Sequence, residues 1–171
     1  INSRKNLLGM VRALEGLAPK ERPLFVVVGN GRGYRDKVEQ YIDAHGLRSC
    51  IRIESNIHDA QTLQALYKRA KCLMYPSFYE GFGLPVVEAS LQKCPVITSN
   101  VSSLPEAAGP ASIQVDPTAV SQMTNALRRL LSSPEECDRR GEEAYRYCTE
   151  RFAPETLTRR MLDLYDSLIS E

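Results

Sequence analysis

The sequence has no tryptophan, only two histidines and only five cysteines among its 171 residues. Zinc sites need several Cys or His ligands at short spacings, whereas these cysteines are widely separated and form no C-x-x-C pair. They are Cys50, Cys72, Cys94, Cys137 and Cys148. We therefore expect no metal site, and we interpret the cysteines as small buried side chains in a reducing cytosol.

Long apolar segments and clusters of one charge are also absent from the sequence. The longest strongly apolar run covers residues 24–28, whereas a membrane-spanning helix needs about 20 apolar residues. The net charge is +1 and the 22 basic residues are scattered, so we expect no nucleic-acid-binding surface. A content of 43% hydrophobic and 25% charged residues is typical of one compact domain. We predict a soluble, cytoplasmic protein.

Short apolar segments alternate with amphipathic helical patterns along the first two thirds of the chain. The apolar segments predict buried parallel strands at residues 24–28, 50–53, 72–75, 95–98 and 112–115. The final third has helical periodicity only. Because strands that alternate with helices form right-handed crossovers, this order predicts a doubly wound α/β fold with a parallel sheet and C-terminal helices.

The beginning of the chain departs from this alternation. The first pattern is a helix, with Asn6 as the predicted N-cap and Leu7 as the first helical residue. A doubly wound sheet normally begins with a strand that leads into its first helix. We therefore expect that the first strand of the sheet lies upstream of Ile1.

Ligands of doubly wound sheets bind where strands end and helices begin. The segment 29–34 lacks the third glycine of a dinucleotide-binding fingerprint, because Tyr34 stands at that position. A simple turn explains it as well as a ligand site does. After the second strand, Ile57 in segment 55–58 offers an apolar contact for a nucleobase, but a loop that caps the helix from Asp59 is the simpler interpretation.

The segment after the third strand, residues 76–88, has more to suggest a ligand. Pro85 suits a first helical turn, and Gly81 and Gly83 would let the backbone approach an anion at the helix N-terminus. Glu80 and Glu88 flank this position, and a carboxylate can accept hydrogen bonds from both hydroxyls of a diol. The arrangement fits a sugar–diphosphate–ribose ligand, although two unrelated acids explain the spacing equally well.

The stretch 80–88, E-G-F-G-L-P-V-V-E, resembles the E-x7-E signature of retaining GT-B glycosyltransferases of family four, the group 1 family. Segment 3–6 is similar to the basic R-K-N or K-G step of this family. Other segments similar to family landmarks are 67–70, 75–77, 103–109 and 115–117. The resemblance covers essentially the whole chain. It implies that residues 1–171 are a single Rossmann-like domain, the donor-binding C-terminal half of a two-domain enzyme.

The resemblance also implies roles for individual residues. Lys5 would contact the donor diphosphate, the backbone of Ile57 would meet the base, and Glu88 would hold the ribose diol. Glu80 would touch sugar hydroxyls as the catalytic residue. Backbone contacts to phosphate and sugar would come from Gly81, Phe82, Gly83 and Leu84.

The family resemblance implies a reaction as well as a site. A UDP-, GDP- or ADP-linked sugar would be the donor, and transfer would retain the anomeric configuration, without a metal or cofactor. The N-terminal domain of the same chain would supply the acceptor site, and the parent enzyme could act at a membrane surface. The arginine that family members carry before the Lys5 position would lie upstream of Ile1, so we expect this chain alone to transfer no sugar. The alternatives are a non-catalytic module that binds a nucleotide or sugar phosphate, and a GT-B epimerase or phosphorylase.

Overall fold

The computed structural model describes residues 1–31, 33–57 and 59–169. Arg32 and His58, which belong to the first and second predicted strand exits, therefore lie outside the described residues. The strands are β1 (Phe25–Val28), β2 (Ile51–Glu54), β3 (Leu73–Tyr75), β4 (Val96–Ser99) and β5 (Ile113–Val115). Each begins and ends within one residue of its prediction, which confirms the strand assignment.

The strands pair into two parallel sheets, where the sequence predicted one. β1 pairs with β2, and β4 lies between β3 and β5. Within the described ranges no hydrogen-bonded ladder joins β1 to β3. A cavity of about 730 Å³, lined largely by apolar side chains, lies between these two strands. The strand expected upstream of Ile1 stays a prediction.

Helices cover the sheets and complete the C-terminal third. They are α1 (Leu7–Glu15), α2 (Tyr34–Ala44), α3 (Ala60–Arg69), α4 (Leu84–Ser90), α5 (Leu104–Ala108), α6 (Val120–Ser132), α7 (Pro134–Phe152) and α8 (Pro154–Ile169). The Asp59 side chain caps α3 by accepting a hydrogen bond from the Thr62 N–H at 2.6 Å. Ser133 caps α7 through the Glu136 N–H at 3.3 Å. The Asp59 cap confirms the sequence prediction.

The core has two clusters, one on each side of β4. α1 and α6 pack together, and Val11 and Leu127 contribute to a cluster that also contains Ile97 of β4. The second cluster joins α4 and α5 through Val86 and Leu104. Full burial of a side chain of this size stabilises a fold by about 1.5–3 kcal/mol. These contacts fix the positions of α1 and α4, between which the candidate site lies.

Asn6 occupies the N-cap position of α1, which begins at Leu7 as predicted, but its side chain makes no capping hydrogen bond. Asn6 adopts a left-handed conformation (φ 57°, ψ 35°). The amide instead donates hydrogen bonds to the carbonyl oxygens of Pro76 at 3.1 Å and Pro117 at 2.7 Å. Because both carbonyls are distant in sequence, Asn6 ties the start of α1 to the loop after β3.

The cysteines are all free thiols. Cys94, Cys137 and Cys148 are buried, whereas Cys50 and Cys72 are half-buried. Burial raises the pKa of the Cys94 thiol to about 12, which keeps it protonated and unreactive at neutral pH.

The last helix differs from the others in its exposure. Its large apolar residues from Met161 onward, including Tyr165 and Leu168, are more than half exposed to solvent. It is nevertheless too polar for a membrane span, and none of the other described helices combines the length and apolar composition needed to cross a bilayer.

Candidate functional site

The loop between β3 and α4 lies at the carboxyl end of the sheet, as predicted from the sequence. β3 ends at Tyr75 and α4 begins at Leu84. Gly83 adopts φ 109°, and a Cβ atom there would lie 2.7 Å from Cδ2 of Leu104, so this position requires glycine. A Cβ on Gly81 would meet no atom within 4 Å. The backbone at Gly81 is therefore open to a ligand from outside.

The loop after β4 braces the loop after β3. The Ser103 hydroxyl donates hydrogen bonds to the carbonyl oxygens of Glu80 at 2.9 Å and Phe82 at 3.0 Å. The Ser102 hydroxyl accepts one from the Glu80 N–H at 3.2 Å. Both serines follow the end of β4, but they were not among the residues predicted for the site.

Glu80 is the centre of a buried polar cluster and is only 8% exposed. Its Oε1 accepts hydrogen bonds from the Tyr75 hydroxyl at 2.9 Å and the Ser77 hydroxyl at 3.0 Å. The Lys5 ammonium lies 3.3 Å from the same oxygen. Oε2 accepts from Nη1 of Arg4 at 2.6 Å. The carboxylate is thus saturated by protein groups, two of them cationic.

The cluster holds Glu80 in its ionised form. Burial acts to raise the pKa of the carboxyl, but hydrogen bonds from Arg4, Tyr75 and Ser77 and the charge of Lys5 outweigh it, so the pKa lies below its ordinary value. Lys5 also donates to the Tyr75 hydroxyl, and its ammonium lies 4.7 Å from the ring centroid of Tyr75. The predicted cation and the predicted catalytic acid therefore share one hydrogen-bond network.

Arg4 is a residue of the site that sequence reasoning missed. It lies in a 3₁₀ turn, Ser3–Lys5, that precedes α1. Arg4 also makes two hydrogen bonds to the loop after β3 besides its bond to Glu80. Its backbone carbonyl oxygen accepts from the Phe78 N–H at 2.9 Å, and its Nη1 donates to the backbone carbonyl oxygen of Tyr79 at 2.7 Å. The similarity of segment 3–6 to the basic R-K-N step of the family is the sequence signal that could have indicated this role.

Glu88 lies on α4 and is exposed. Its Oε2 accepts a hydrogen bond from the Tyr67 hydroxyl at 3.2 Å, at the end of α3. Burial raises the pKa of Tyr67, and the charge of Glu88 raises it further, so the hydroxyl stays a donor. Glu88 lines the cavity between β1 and β3 together with Lys5, Tyr67 and Tyr75. Glu80 does not line this cavity and reaches its edge through Lys5 and Tyr75.

The other residues predicted to contact the donor are Ile57, Phe82 and Leu84. Ile57 is half-buried in the loop after β2 and does not line the cavity. The side chain of Leu84 is exposed, and the ring of Phe82 packs edge-on against Phe152 with centroids 5.3 Å apart. The predicted roles of Phe82 and Leu84 involve backbone groups, so these roles and that of Ile57 stay predictions.

A comparison with known protein families identifies the family of this chain. Residues 1–147 match the family model described as glycosyl transferases group 1. The chain belongs to this family. The resemblance stated from segment 80–88 is thereby confirmed.

Curated group 1 relatives include sugar transferases that are considerably longer. The O-antigen chain mannosyltransferase B of Escherichia coli is 39% identical over 123 residues, which cover 71% of this chain and 32% of the relative. The MMP alpha-(1->4)-mannosyltransferase of Mycolicibacterium hassiacum is 33% identical over 135 residues, covering 77% of this chain and 33% of the relative. The chain thus spans about a third of the length of these relatives.

Solved structures show the same fold. Sucrose-phosphate synthase from Thermosynechococcus elongatus superposes with a TM-score of 0.85 at 26% identity, covering 99% of this chain and 43% of that one. The C-terminal domain of the group 1 family protein LpcC from Francisella tularensis superposes with a TM-score of 0.79 at 24% identity, covering 89% and 82%. Anabaena Alr3699/HepE, crystallised with UDP and glucose, gives 0.86 at 18% identity, covering 98% and 46%. The α/β fold is that of the GT-B glycosyltransferases.

The described residues offer no cluster of three or more His, Cys, Asp or Glu side chains arranged to hold a metal ion.

Proposed function

We propose that this chain is the nucleotide-sugar-binding half of a retaining glycosyltransferase that works without a protein-bound metal or cofactor. The observation that carries the proposal is that Lys5 pairs with Glu80, next to the open backbone at Gly81, and lines one cavity with the exposed carboxylate of Glu88, in a member of the group 1 family. Cations, an accessible backbone and an exposed carboxylate are the groups that a sugar–diphosphate–ribose ligand requires.

Each part of the donor has a matching group. The Lys5 side chain is 36% exposed and interacts with the diphosphate as a point charge. Glu88 accepts hydrogen bonds from the two ribose hydroxyls, while Tyr67 holds its Oε2. Glu80 contacts a sugar hydroxyl, and the backbone from Gly81 to Leu84 approaches the phosphates and the sugar. Ile57 contacts the base.

The relatives suggest the sugar and the setting. Two curated relatives are named as mannosyltransferases, so mannose is our first candidate for the transferred sugar. The second candidate is glucose, because the Anabaena protein was crystallised with UDP-glucose. The acceptor site belongs to an N-terminal domain of a longer chain, of which residues 1–171 are one domain. We place the enzyme in the cytoplasm, in glycan or lipid-linked glycan biosynthesis, where the parent could contact a membrane surface.

Calorimetry of the 171-residue chain tests donor binding. The ligands are UDP, GDP and ADP, each with and without a linked hexose, and EDTA in a parallel series tests metal dependence. We expect one nucleotide to bind more tightly than the others, with unchanged affinity in EDTA. If none of them binds at millimolar concentration, the proposal is wrong.

A non-catalytic module that binds a nucleotide or a sugar phosphate is the second candidate, because the exposed Lys5 ammonium and the exposed Glu88 carboxylate are groups that binding alone would also use. A transfer assay with labelled donor separates the enzyme from the binding module. The assay compares two proteins, the 171-residue chain by itself and a longer chain that contains it. We expect transfer by the longer chain only, because positioning the donor against an acceptor supplies much of the rate. Donor binding without transfer by the longer chain would favour the module.

A further inference from the structure

Arg4 contacts three consecutive residues of the loop after β3. Its backbone oxygen accepts from Phe78 at 2.9 Å, and its Nη1 donates to the Tyr79 oxygen at 2.7 Å and to Oε2 of Glu80 at 2.6 Å. The Arg4 side chain is 42% exposed, whereas that of Glu80 is 9% exposed. Arg4 therefore reaches from the surface to a carboxylate that is otherwise enclosed.

The two oxygens of Glu80 are bound differently. Oε2 takes the short bond from Arg4. Oε1 takes three donors, and the Lys5 ammonium is the most distant of them at 3.3 Å. A carboxylate oxygen has about two lone-pair sites, so three donors exceed what Oε1 accepts well. Lys5 is the most distant of these donors, and its long side chain is 36% exposed, so it is the donor with room to turn away from Oε1.

We propose that Arg4 is a positioning residue of the donor site. It holds Oε2 of Glu80 in every state, so that Lys5 can leave Oε1 for the diphosphate and Oε1 becomes available to a hydroxyl of the sugar. This inference rests on the proposed function. It explains how Lys5 and Glu80 can both serve the donor although they bond to each other in the structure.

Electrostatics supports this division of work. If Lys5 left without Arg4 in place, the buried carboxylate would lose both cationic partners, and a buried charge without a partner is strongly disfavoured. With Arg4 retained, the carboxylate keeps a charge-assisted bond and the bonds from Tyr75 and Ser77. The arginine thus permits the movement of the lysine.

Paired ligands test the inference, because they separate the sugar contact from the phosphate contact. Affinities of GDP-mannose and GDP, and of UDP-glucose and UDP, are measured for the wild type, Arg4→Ala, Arg4→Lys, Glu80→Gln and the double variant Arg4→Ala/Glu80→Gln. The control is Arg48→Ala, because Arg48 makes two 2.7 Å bonds to Asp43 at the exposed C-terminal end of α2. The control should change no affinity.

We expect Arg4→Ala to weaken the nucleotide sugar about tenfold, the scale of one hydrogen bond to a charged group, and the free nucleotide less than about threefold. Arg4→Lys should recover most of this loss, because it keeps the charge. The double variant should bind within about twofold of Glu80→Gln, since Arg4 acts through Glu80. An equal loss for sugar and free nucleotide would mean that Arg4 contacts the diphosphate directly, and would overturn the inference.

A ligand-free measurement accompanies these titrations. Carboxyl NMR should show that the Glu80 pKa rises in Arg4→Ala and not in Arg48→Ala, and an unchanged pKa would overturn the inference. Thermal melts identify any variant that fails to fold, in which case Arg4→Lys carries the comparison. If the wild type binds neither ligand pair, the proposed function fails. If it binds them and Arg4→Ala binds equally well, only the present inference fails.

Discussion

Gly81 and Gly83 stand on either side of Phe82, yet their surroundings predict opposite responses to an added methyl group. At Gly83 the backbone has φ 109°, and the new Cβ would lie 2.7 Å from Cδ2 of Leu104, which is completely buried. At Gly81 the Cβ would meet no atom within 4 Å, and the backbone has no positive φ. Alanine at the two positions therefore forms a matched pair.

The cost of Gly83→Ala has two parts. The left-handed conformation costs a residue with a Cβ about 1–2 kcal/mol, and overpacking against a buried side chain costs about 1–3 kcal/mol. Together they predict a destabilisation of about 2–5 kcal/mol. For a chain of this size, each kcal/mol lowers the melting temperature by about 2–4 °C. Gly83→Ala should therefore melt about 4–20 °C below the wild type, whereas Gly81→Ala should change stability by less than about 0.5 kcal/mol.

Calorimetric melting of the three proteins, followed by titration with the best-binding nucleotide, checks both stability and function. Gly81→Ala should keep its stability and lose affinity, because the methyl group would occupy the open side that the ligand approaches. A Gly83→Ala protein as stable as the wild type would refute the packing argument. Full affinity in Gly81→Ala would refute the proposal that the ligand approaches this backbone.

Three further changes test other parts of the molecule. Glu88→Gln should weaken nucleoside diphosphate binding about tenfold, because an amide accepts hydroxyl hydrogen bonds less strongly than a carboxylate. Calorimetry measures this affinity, with the surface variant Glu143→Gln as the control. Equal affinities for the wild type and Glu88→Gln would remove Glu88 from the site. The folded-state pKa of Glu80 lies below the ordinary value of a glutamate, so its ionised form contributes stability that is fully present above the unfolded-state pKa and lost as pH falls through the folded-state pKa. Urea unfolding between about pH 3 and 7 should therefore show less acid destabilisation in Glu80→Gln than in the wild type, and parallel curves would contradict this. Asn6→Ala leaves two carbonyl groups without their donor and should lower the unfolding free energy by about 1–3 kcal/mol. Urea unfolding measures this, with a substitution at an exposed asparagine, Asn125→Ala, as the control. Equal urea midpoints for the two variants would contradict the role of Asn6.

Features that depend on neighbours in sequence were predictable. The strands were found within one residue because buried parallel strands are short runs of apolar residues. Asp59 caps its helix through the N–H group three residues later, as the local pattern indicated. Segment 80–88 identified the family because its glycines, proline and acids stand at fixed spacings in a single loop and helix.

The sequence by itself therefore determined the α/β order of elements, the family and the loop on which the site is built. Tertiary structure decided which groups meet in that loop. Asn6 stands at the predicted N-cap position, but the packing around it orients its side-chain amide to donate to the carbonyls of Pro76 and Pro117, and its side chain makes no capping bond. Arg4 meets Glu80 only because the core packing of α1 and α4 brings residues 76 positions apart into contact. Such contacts depend on the relative positions of whole elements, which no local spacing in the chain encodes.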